Sequence, residues 1–320
     1  MTGPGATIER VCVVGAGTIG SLYAGHLARV ADVTVLTRRP AQAAALNQSG
    51  LQVSGKSDLR ARVTASHEPD GIDDVDLAIV ACKAVDLPST AGRLEGRFRR
   101  AAVMTVQNGL GAEEVVRLHG EWPLISAVTF MSGTRRSDTH VEYELDTATW
   151  MGPYMGGGPP YETVQELEGL LIAGGLEAEA MPDLRPAQWS KLIFNSAVNG
   201  VAALTDLPHV QAFAEEEEFA DLGHLLRGLI DEGKAVAAAA GVELHDDPWE
   251  MNVRAVTRGE TQHSNYAHIP SMLADVRAHR PTEVDYISGA LAREGERLGV
   301  PAPLNTAIYR LVKAREASWR

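Results

Sequence analysis

Val11-Cys12-Val13-Val14-Gly15-Ala16-Gly17-Thr18-Ile19-Gly20 constrains the fold of this chain more than any other segment. An apolar, β-branched run leads directly into three glycines spaced G-x-G-x-x-G, and a helical pattern follows from Ile19 to Val30. The first glycine permits a tight turn, the second lets the backbone approach an anionic ligand, and the third lets helix pack on strand. The first N–H groups of a helix lack intrahelical acceptors, so a helix beginning near Thr18 presents donors to phosphate. A structural loop with no ligand is the bland alternative. Strand, helix and spacing agree, and together they favour a dinucleotide pyrophosphate cradle.

The alternation continues downstream. Asp32–Thr37, Val75–Ala81, Ala101–Val106 and Leu124–Met131 read as further main strands, with a short helix at Pro40–Gln48. Leu51–Val53 and Arg60–Val63 form a small β excursion between them. This pattern predicts an α/β fold: an N-terminal Rossmann-type dinucleotide-binding domain with helices on both faces of a parallel sheet. Val141–Leu145 and Thr149–Met151 flank Asp146–Ala148 and predict a hairpin extending that sheet. Gly156-Gly157-Gly158-Pro159-Pro160 must be loop, and a helix over Thr163–Ala173 and a strand over Glu177–Ala180 complete the domain. Pro182 and Pro186 bracket the crossing to a region where strand signals largely vanish. Helices are expected there over Ala187–Leu204, Phe213–Ala240, Pro248–Thr257, Ser271–His279, Thr282–Leu298 and Pro303–Glu316, with Gly241 and Gly299 at helix ends. The expected division is residues 1–183 for the nucleotide-binding domain and 184–320 for an all-α C-terminal domain.

Charge and composition narrow the function classes. A formal net charge of −13 argues against a broad phosphate-binding surface, so no nucleic-acid partner is expected. Glu215–Glu218 is a run of four carboxylates that reads as a solvated helix face. Cys12 and Cys82 both fall in strand-like apolar runs without metal-ligand spacing, so burial as small hydrophobes is expected and no metal site. His263 and His268 lie five apart but have no evident third ligand. No HExxH or GxSxG pattern occurs, and the five tryptophans are dispersed. Neither a signal pattern nor an apolar run of membrane-spanning length is found, so a cytoplasmic protein with no membrane partner is the expectation.

The end of the second strand bears on which dinucleotide is bound. A carboxylate about 20 residues after the glycine turn usually holds the ribose hydroxyls of NAD. Here the segment reads Leu36-Thr37-Arg38-Arg39, two guanidiniums and no carboxylate. A guanidinium suits a 2′-phosphate through forked, charge-assisted hydrogen bonds, so NADP(H) is the expected cofactor, with Arg38 the contact. The competing reading leaves both arginines solvated at a strand end.

Farther on, Lys191, Asn195 and Asn199 are spaced i, i+4, i+8 within Gln188–Asn199, among Leu192, Ile193, Phe194 and Val198. One amine and two amides on a narrow stripe form a poor core face. On the residues alone two readings stand, the polar wall of a ligand cleft and an ordinary solvent-facing stripe. Ser271 and Thr282 read as helix caps, and Glu283 as a carboxylate complementing a helix dipole.

Taken together and in order, these segments resemble the ketopantoate reductase family. The resemblance is carried by Gly15–Gly20, Cys82-Lys83-Ala84, Gln107-Asn108-Gly109-Leu110-Gly111, Trp189-Ser190-Lys191-Leu192 with Asn195 and Asn199, Ser271-Met272-Leu273-Ala274-Asp275 and Thr282–Gly289. It runs from the glycine turn through Leu311. It implies an active site between a Rossmann domain and a helical domain, and NADPH-dependent reduction of a 2-oxo acid to a 2-hydroxy acid. The first candidate is 2-dehydropantoate reduced to pantoate, in pantothenate biosynthesis. It implies Lys191 as general acid, Glu283 as its partner or a substrate contact, and Asn195 and Asn199 on substrate hydroxyl or carbonyl groups. It also implies Ser271 on the carboxylate, Lys83 and Asn108 near the nicotinamide and its ribose, and Gly15, Ala16, Gly17, Thr18, Ile19 and Gly20 around the pyrophosphate. The partner expected is a small-molecule 2-oxo acid, and a homodimer is the assembly to test.

The chemistry is coherent without the resemblance. Hydride addition to a ketone builds charge on oxygen, which a neighbouring amine stabilises and protonates. A free lysine, with a pKa near 10.4, is a sluggish donor, so desolvation or Lys83 is expected to lower it and Glu283 to oppose that. Two positions depart from the family pattern. Asp86 stands where pantoate-making members commonly carry glutamine, and His209 where several carry a substrate-gripping asparagine. Ile269-Pro270 ahead of Ser271 is also unusual. These departures keep open a relative that reduces another 2-oxo acid or oxidises an alcohol. A nicotinamide-binding sensor without turnover is a further alternative, opposed by the retained polar set.

Overall fold

The computed structural model describes residues 8–72, 75–214, 220–257 and 268–319. The chain divides into two compact units, Met1–Gln107 with Ala112–Leu184, and Asn108–Gly111 with Arg185–Arg320.

In the first unit β1 (Arg10–Val14), α1 (Thr18–Leu27), β2 (Asp32–Leu36) and α2 (Pro40–Ser49) are followed by β3 (Leu51–Gly55), β4 (Leu59–Ala61), β5 (Thr64–Ser66) and β6 (Leu77–Val80). A 3-10 turn at Ala84–Asp86 leads into α3 (Leu87–Arg93), then β7 (Ala102–Thr105), α4 (Ala112–Arg117) and β8 (Leu124–Thr129). The unit closes with β9 (Ser132–Arg135), β10 (His140–Leu145), β11 (Thr149–Pro153), α5 (Tyr161–Gly174) and β12 (Ala178–Ala180).

The main sheet has the order β12-β11-β8-β7-β6-β1-β2-β5. Six of these strands, β5-β2-β1-β6-β7-β8, are parallel. This is the doubly wound order in which the connections change direction between the first and fourth strands, here β1 and β6. Side chains alternate between the two faces. Val11, Val13, Leu77 and Ile79 enter one core, whereas Cys12, Val14, Ala78 and Val80 enter the other. Burial on both faces explains why these strands read as unbroken apolar runs. Burial also pushes the Cys12 thiol up to about 12. Cys82 lies just beyond β6, half-buried, and like Cys12 it is in no disulfide.

A second, four-stranded sheet has the order β4-β3-β10-β9. Helix α1 contacts β1 and β2 of the main sheet and β3, β4, β9 and β10 of the small one. That double cover is why Gly20 through Leu27 are all buried in this helix. The hairpin expected from Val141–Leu145 and Thr149–Met151 does not form. β10 pairs antiparallel with β9 and parallel with β3, while β11 pairs antiparallel with β8 and parallel with β12. Tyr23 of α1 forms a 2.8 Å hydroxyl hydrogen bond with Thr149, and Tyr143 donates to Asp146, which fixes the crossing between the sheets.

The second unit is helical: α6 (Arg185–Thr205), a 3-10 turn at Gln211–Ala214, α7 (Ala220–Ala239), α8 (Pro248–Thr257), α9 (Ser271–Arg277), α10 (Ser288–Leu298) and α11 (Pro303–Ala317). The acidic run Glu215–Glu218 and His263 lie outside the described residues. Helix α6 packs against α7, α8, α9, α10 and α11. Every residue from Trp189 to Ala203 is therefore buried. The helix expected to begin at Thr282 begins at Ser288 instead. Thr282 donates through its N–H and hydroxyl to the Glu316 carboxylate, and the Tyr286 carbonyl accepts from Leu110 N–H. Those bonds hold 282–287 as a turn. Ser271 is the first residue of α9 rather than its cap, a place taken by Pro270. No helix among the described residues is long and apolar enough to cross a membrane.

Candidate active site

The glycine turn leaves β1 at the point where the strand order reverses. Gly15 has φ +111°, and a Cβ there would stand 2.9 Å from the Cys82 nitrogen, just past the end of β6. A Cβ at Gly20 would lie 1.9 Å from the Gly15 carbonyl oxygen. Both positions are closed to any other residue by the protein's own backbone. Gly17 differs: a Cβ there would meet nothing within 4 Å. No packing demands a glycine at Gly17, whereas a pyrophosphate lying on the turn would. Helix α1 has no side chain capping its N-terminus, so its first N–H groups face outward. The donor set fits a dinucleotide pyrophosphate.

The sequence did not single out Gln42, yet it braces this turn. Its buried amide donates to the Ala16 carbonyl at 3.0 Å and accepts from the Thr37 hydroxyl at 2.8 Å. Gln107, at the end of β7, donates to the Val80 and Cys82 carbonyls at 2.8 and 2.9 Å. Gln42 is a lone glutamine without a motif, and Gln107, though it opens the quoted Gln107–Gly111 segment, has no bracing role readable from sequence, so tertiary structure alone reveals what each does.

The two arginines after β2 have separate partners. Arg39 forms a forked pair with Asp138 in the β9–β10 connection, which raises its own pKa and lowers that of Asp138. Arg38 reaches Asp86 at 2.7 Å from the first residues past β6, and its side chain is 66% exposed. Asp86 thus belongs to the arginine that was expected to meet the 2′-phosphate. Lys83 is exposed where the 3-10 turn begins, its carbonyl accepting from Asp86 N–H.

In the second unit the stripe on α6 proves to be interior. Lys191, Asn195 and Asn199 are 6%, 8% and 6% exposed, which excludes the solvent-facing reading. Burial pushes the Lys191 amine down to about 8, and the Glu283 carboxylate opposes the shift. Glu283 is itself buried and accepts at 3.1 Å from the Asn108 amide. The Gly109 backbone lies directly on the Tyr286 carbonyl, so close that a Cβ would sit 1.9 Å from it. Asn108, Glu283 and Lys191 thereby form one linked group. Asn195 and Asn199 are buried, and among the described residues neither makes a side-chain hydrogen bond. Buried amides without protein partners are uncommon and call for a ligand or water. Ser271 is exposed at the start of α9.

His209 is packed into the interior. Its ring lies edge-on to Phe194 and Phe213, and its backbone bridges His268. The Asn252 amide donates to the Phe213 carbonyl, so its oxygen accepts from His209 Nε2 at 2.8 Å. Burial pushes this imidazole down to about 4, keeping it neutral.

Comparison with known proteins identifies the family. The family Ketopantoate reductase PanE/ApbA matches residues 11–156, and Ketopantoate reductase PanE/ApbA C terminal matches 183–316. The 2-dehydropantoate 2-reductase of Archaeoglobus fulgidus is 30% identical over 97% of this chain and 99% of its own. That of Pyrococcus horikoshii is 28% identical over 96% of this chain and 98% of its own. Among solved structures, a PanE/ApbA family ketopantoate reductase from Ralstonia eutropha superposes with a TM-score of 0.83 at 28% identity, covering 97% of this chain and 99% of that one. D-Mandelate dehydrogenase, solved with NADH and anilino(oxo)acetate, shares the fold at a TM-score of 0.83 and 22% identity over 97% and 99% of the two chains. The doubly wound glycine turn, the buried amine on α6 and matches spanning nearly the whole chain converge: the protein belongs to the ketopantoate reductase family of oxidoreductases.

Proposed function

We propose that this chain reduces a 2-oxo acid to a 2-hydroxy acid with NADPH, 2-dehydropantoate being the first candidate substrate. The observation that carries this reading is the buried stripe of α6, an amine held near pKa 8 beside two buried amides that make no side-chain hydrogen bond among the described residues. NADPH, when bound, supplies the hydride. The N–H groups around Gly15, Ala16, Gly17, Thr18, Ile19 and Gly20 hold its pyrophosphate, Arg38 its 2′-phosphate, and Lys83 and Asn108 its nicotinamide-ribose end.

Lys191 donates its Nζ proton to the carbonyl oxygen as charge develops there, and in a water-poor interior its cation stabilises that charge strongly. With a pKa of about 8 it is mostly protonated at neutral pH yet gives up the proton readily. Glu283, held by Asn108, orients the ammonium and limits how far its pKa falls. Asn195 and Asn199 hydrogen-bond the substrate's oxygen groups, and Ser271 receives its carboxylate.

NADPH oxidation against a panel of 2-oxo acids, with NADH in parallel, tests the reading. Preference for 2-dehydropantoate supports it, and a Lys191→Ala enzyme with near-normal turnover overturns it. A second reading, another 2-oxo acid as substrate, is favoured by His209. With Nε2 committed to Asn252, it does not supply the amide donor and acceptor of an asparagine. An aromatic 2-oxo acid in the panel distinguishes the two.

A further inference from the structure

Arg38 is the guanidinium placed for a 2′-phosphate, and its partner in the described structure is a carboxylate. Asp86 Oδ1 accepts from Arg38 Nη1 at 2.7 Å, linking the segment after β2 to the segment after β6 within the first unit. Two consequences follow from elementary electrostatics. A phosphate that engages Arg38 must displace this carboxylate or share the guanidinium with it, at a distance where like charges repel. A ribose bearing a free 2′-hydroxyl meets no such repulsion, because a neutral hydroxyl can donate to a carboxylate, although Asp86 follows β6 and not β2, where dinucleotide folds usually carry the NAD-holding acid. Arg39 cannot relieve the conflict, because both its terminal nitrogens are engaged by Asp138.

We infer that Asp86 is a cofactor-specificity residue that competes with the 2′-phosphate for Arg38, so that the site binds NADH on terms close to those for NADPH. The inference rests on the proposed dinucleotide site and adds to it a residue that works against the phosphate. Because Arg38 is largely exposed, solvent and salt screen the repulsion. A carboxylate that shares one guanidinium with a dianionic phosphate in such a setting changes affinity about tenfold.

The test is equilibrium titration of the full chain with NADPH and with NADH, followed by nucleotide fluorescence, for the wild type, Asp86→Asn, Arg38→Ala and the double variant. Asparagine keeps the size of the side chain and removes only its charge. The expected result is a wild-type preference for NADPH below about tenfold, tightening of NADPH by about tenfold in Asp86→Asn, and a change in NADH of less than about threefold. Raising the salt should narrow the difference between Asp86→Asn and wild type for NADPH alone. Unchanged or weaker NADPH binding in Asp86→Asn, or equal tightening of both nucleotides, overturns the role of Asp86. Arg38→Ala separates the two levels of the argument. If it leaves NADPH affinity untouched in both backgrounds, the 2′-phosphate assignment is wrong, and this inference fails with it. If it weakens NADPH selectively while Asp86→Asn changes nothing, the assignment stands and only the competition is refuted.

Discussion

Replacing Lys191 with methionine should yield a more stable protein that barely turns over. Burial moves the amine from 10.5 to about 8, which at about 1.4 kcal/mol per pH unit corresponds to about 3 kcal/mol. The sign follows from proton counts. Between pH 8 and 10.5 the unfolded chain holds this proton and the folded one does not, so wild-type stability rises with pH across that window. Below pH 8 both states are protonated, and the folded protein carries the full cost of a buried ammonium. Methionine fills a similar volume without charge, so the variant should exceed wild type by about 3 kcal/mol at pH 7 and by about 1.5 kcal/mol at pH 9.5. Urea unfolding of both proteins at the two pH values measures the gap, and titrating groups not coupled to Lys191 cancel in the difference. Turnover should fall about 10²- to 10⁴-fold, the contribution of a positioned general acid. A gap that does not shrink with pH, or a variant less stable than wild type at pH 7, would refute the reasoning about burial.

Glu283→Gln removes the influence that holds the Lys191 pKa up, so the alkaline fall in reduction rate should move to lower pH, with more activity lost at pH 8 than at pH 6; a pH–rate profile unmoved by the change would contradict this. Gly17→Ala should fold with wild-type unfolding parameters yet lose at least about tenfold in nucleotide affinity, because its Cβ meets no protein atom and only a ligand would feel it. Gly20→Ala should instead lower the unfolding temperature, and calorimetry with nucleotide titration separates the two. Asn195→Ala and Asn199→Ala should change stability by no more than about 1 kcal/mol, since among the described residues no side-chain hydrogen bond is lost, while raising KM about tenfold. His209→Ala should behave in the opposite way, costing about 2–3 kcal/mol with little change in KM, because its ring packs between Phe194 and Phe213.

The elements legible in the sequence were those whose cause is local. β1 and the glycine turn announce themselves because burial on both faces requires an unbroken apolar strand, and because Gly15 and Gly20 have no room for a Cβ. Pro248–Thr257 likewise carries its own boundary signals. Misread segments depend on partners distant in sequence. β10 and β11 look like the arms of one hairpin, but period-2 alternation does not say which sheet a strand joins. Thr282 looks like a cap until Glu316 and Leu110 engage the turn that follows. β5, α3 and α4 span only three to seven residues, too few for their periodicity to stand out in the sequence. In the site, spacing placed Lys191, Asn195 and Asn199 on one stripe but could not decide whether it was wet or buried. That depended on five helices closing around α6. Gln42 carried no local signal at all, and Arg38 and Asp86 were each legible but their pairing was not.

A cation opposed by a carboxylate occurs twice at the proposed sites, and the surrounding dielectric gives the two pairs different consequences. Arg38 and Asp86 lie near solvent, where their attraction contributes little to folding and is screened by salt. Its effect is felt by a third charge that competes for the same guanidinium, so the pair bears on nucleotide choice. Lys191 and Glu283 are buried, and there attraction is stronger but desolvation stronger still, since the amine remains near 8 despite its neighbour. Removing Glu283 would leave Lys191 neutral too early. Exposing Lys191 to water would return it toward 10.5, a poor donor. The five helices packed around α6 therefore do more than support the amine: their exclusion of water sets the proton affinity on which the proposed reduction depends.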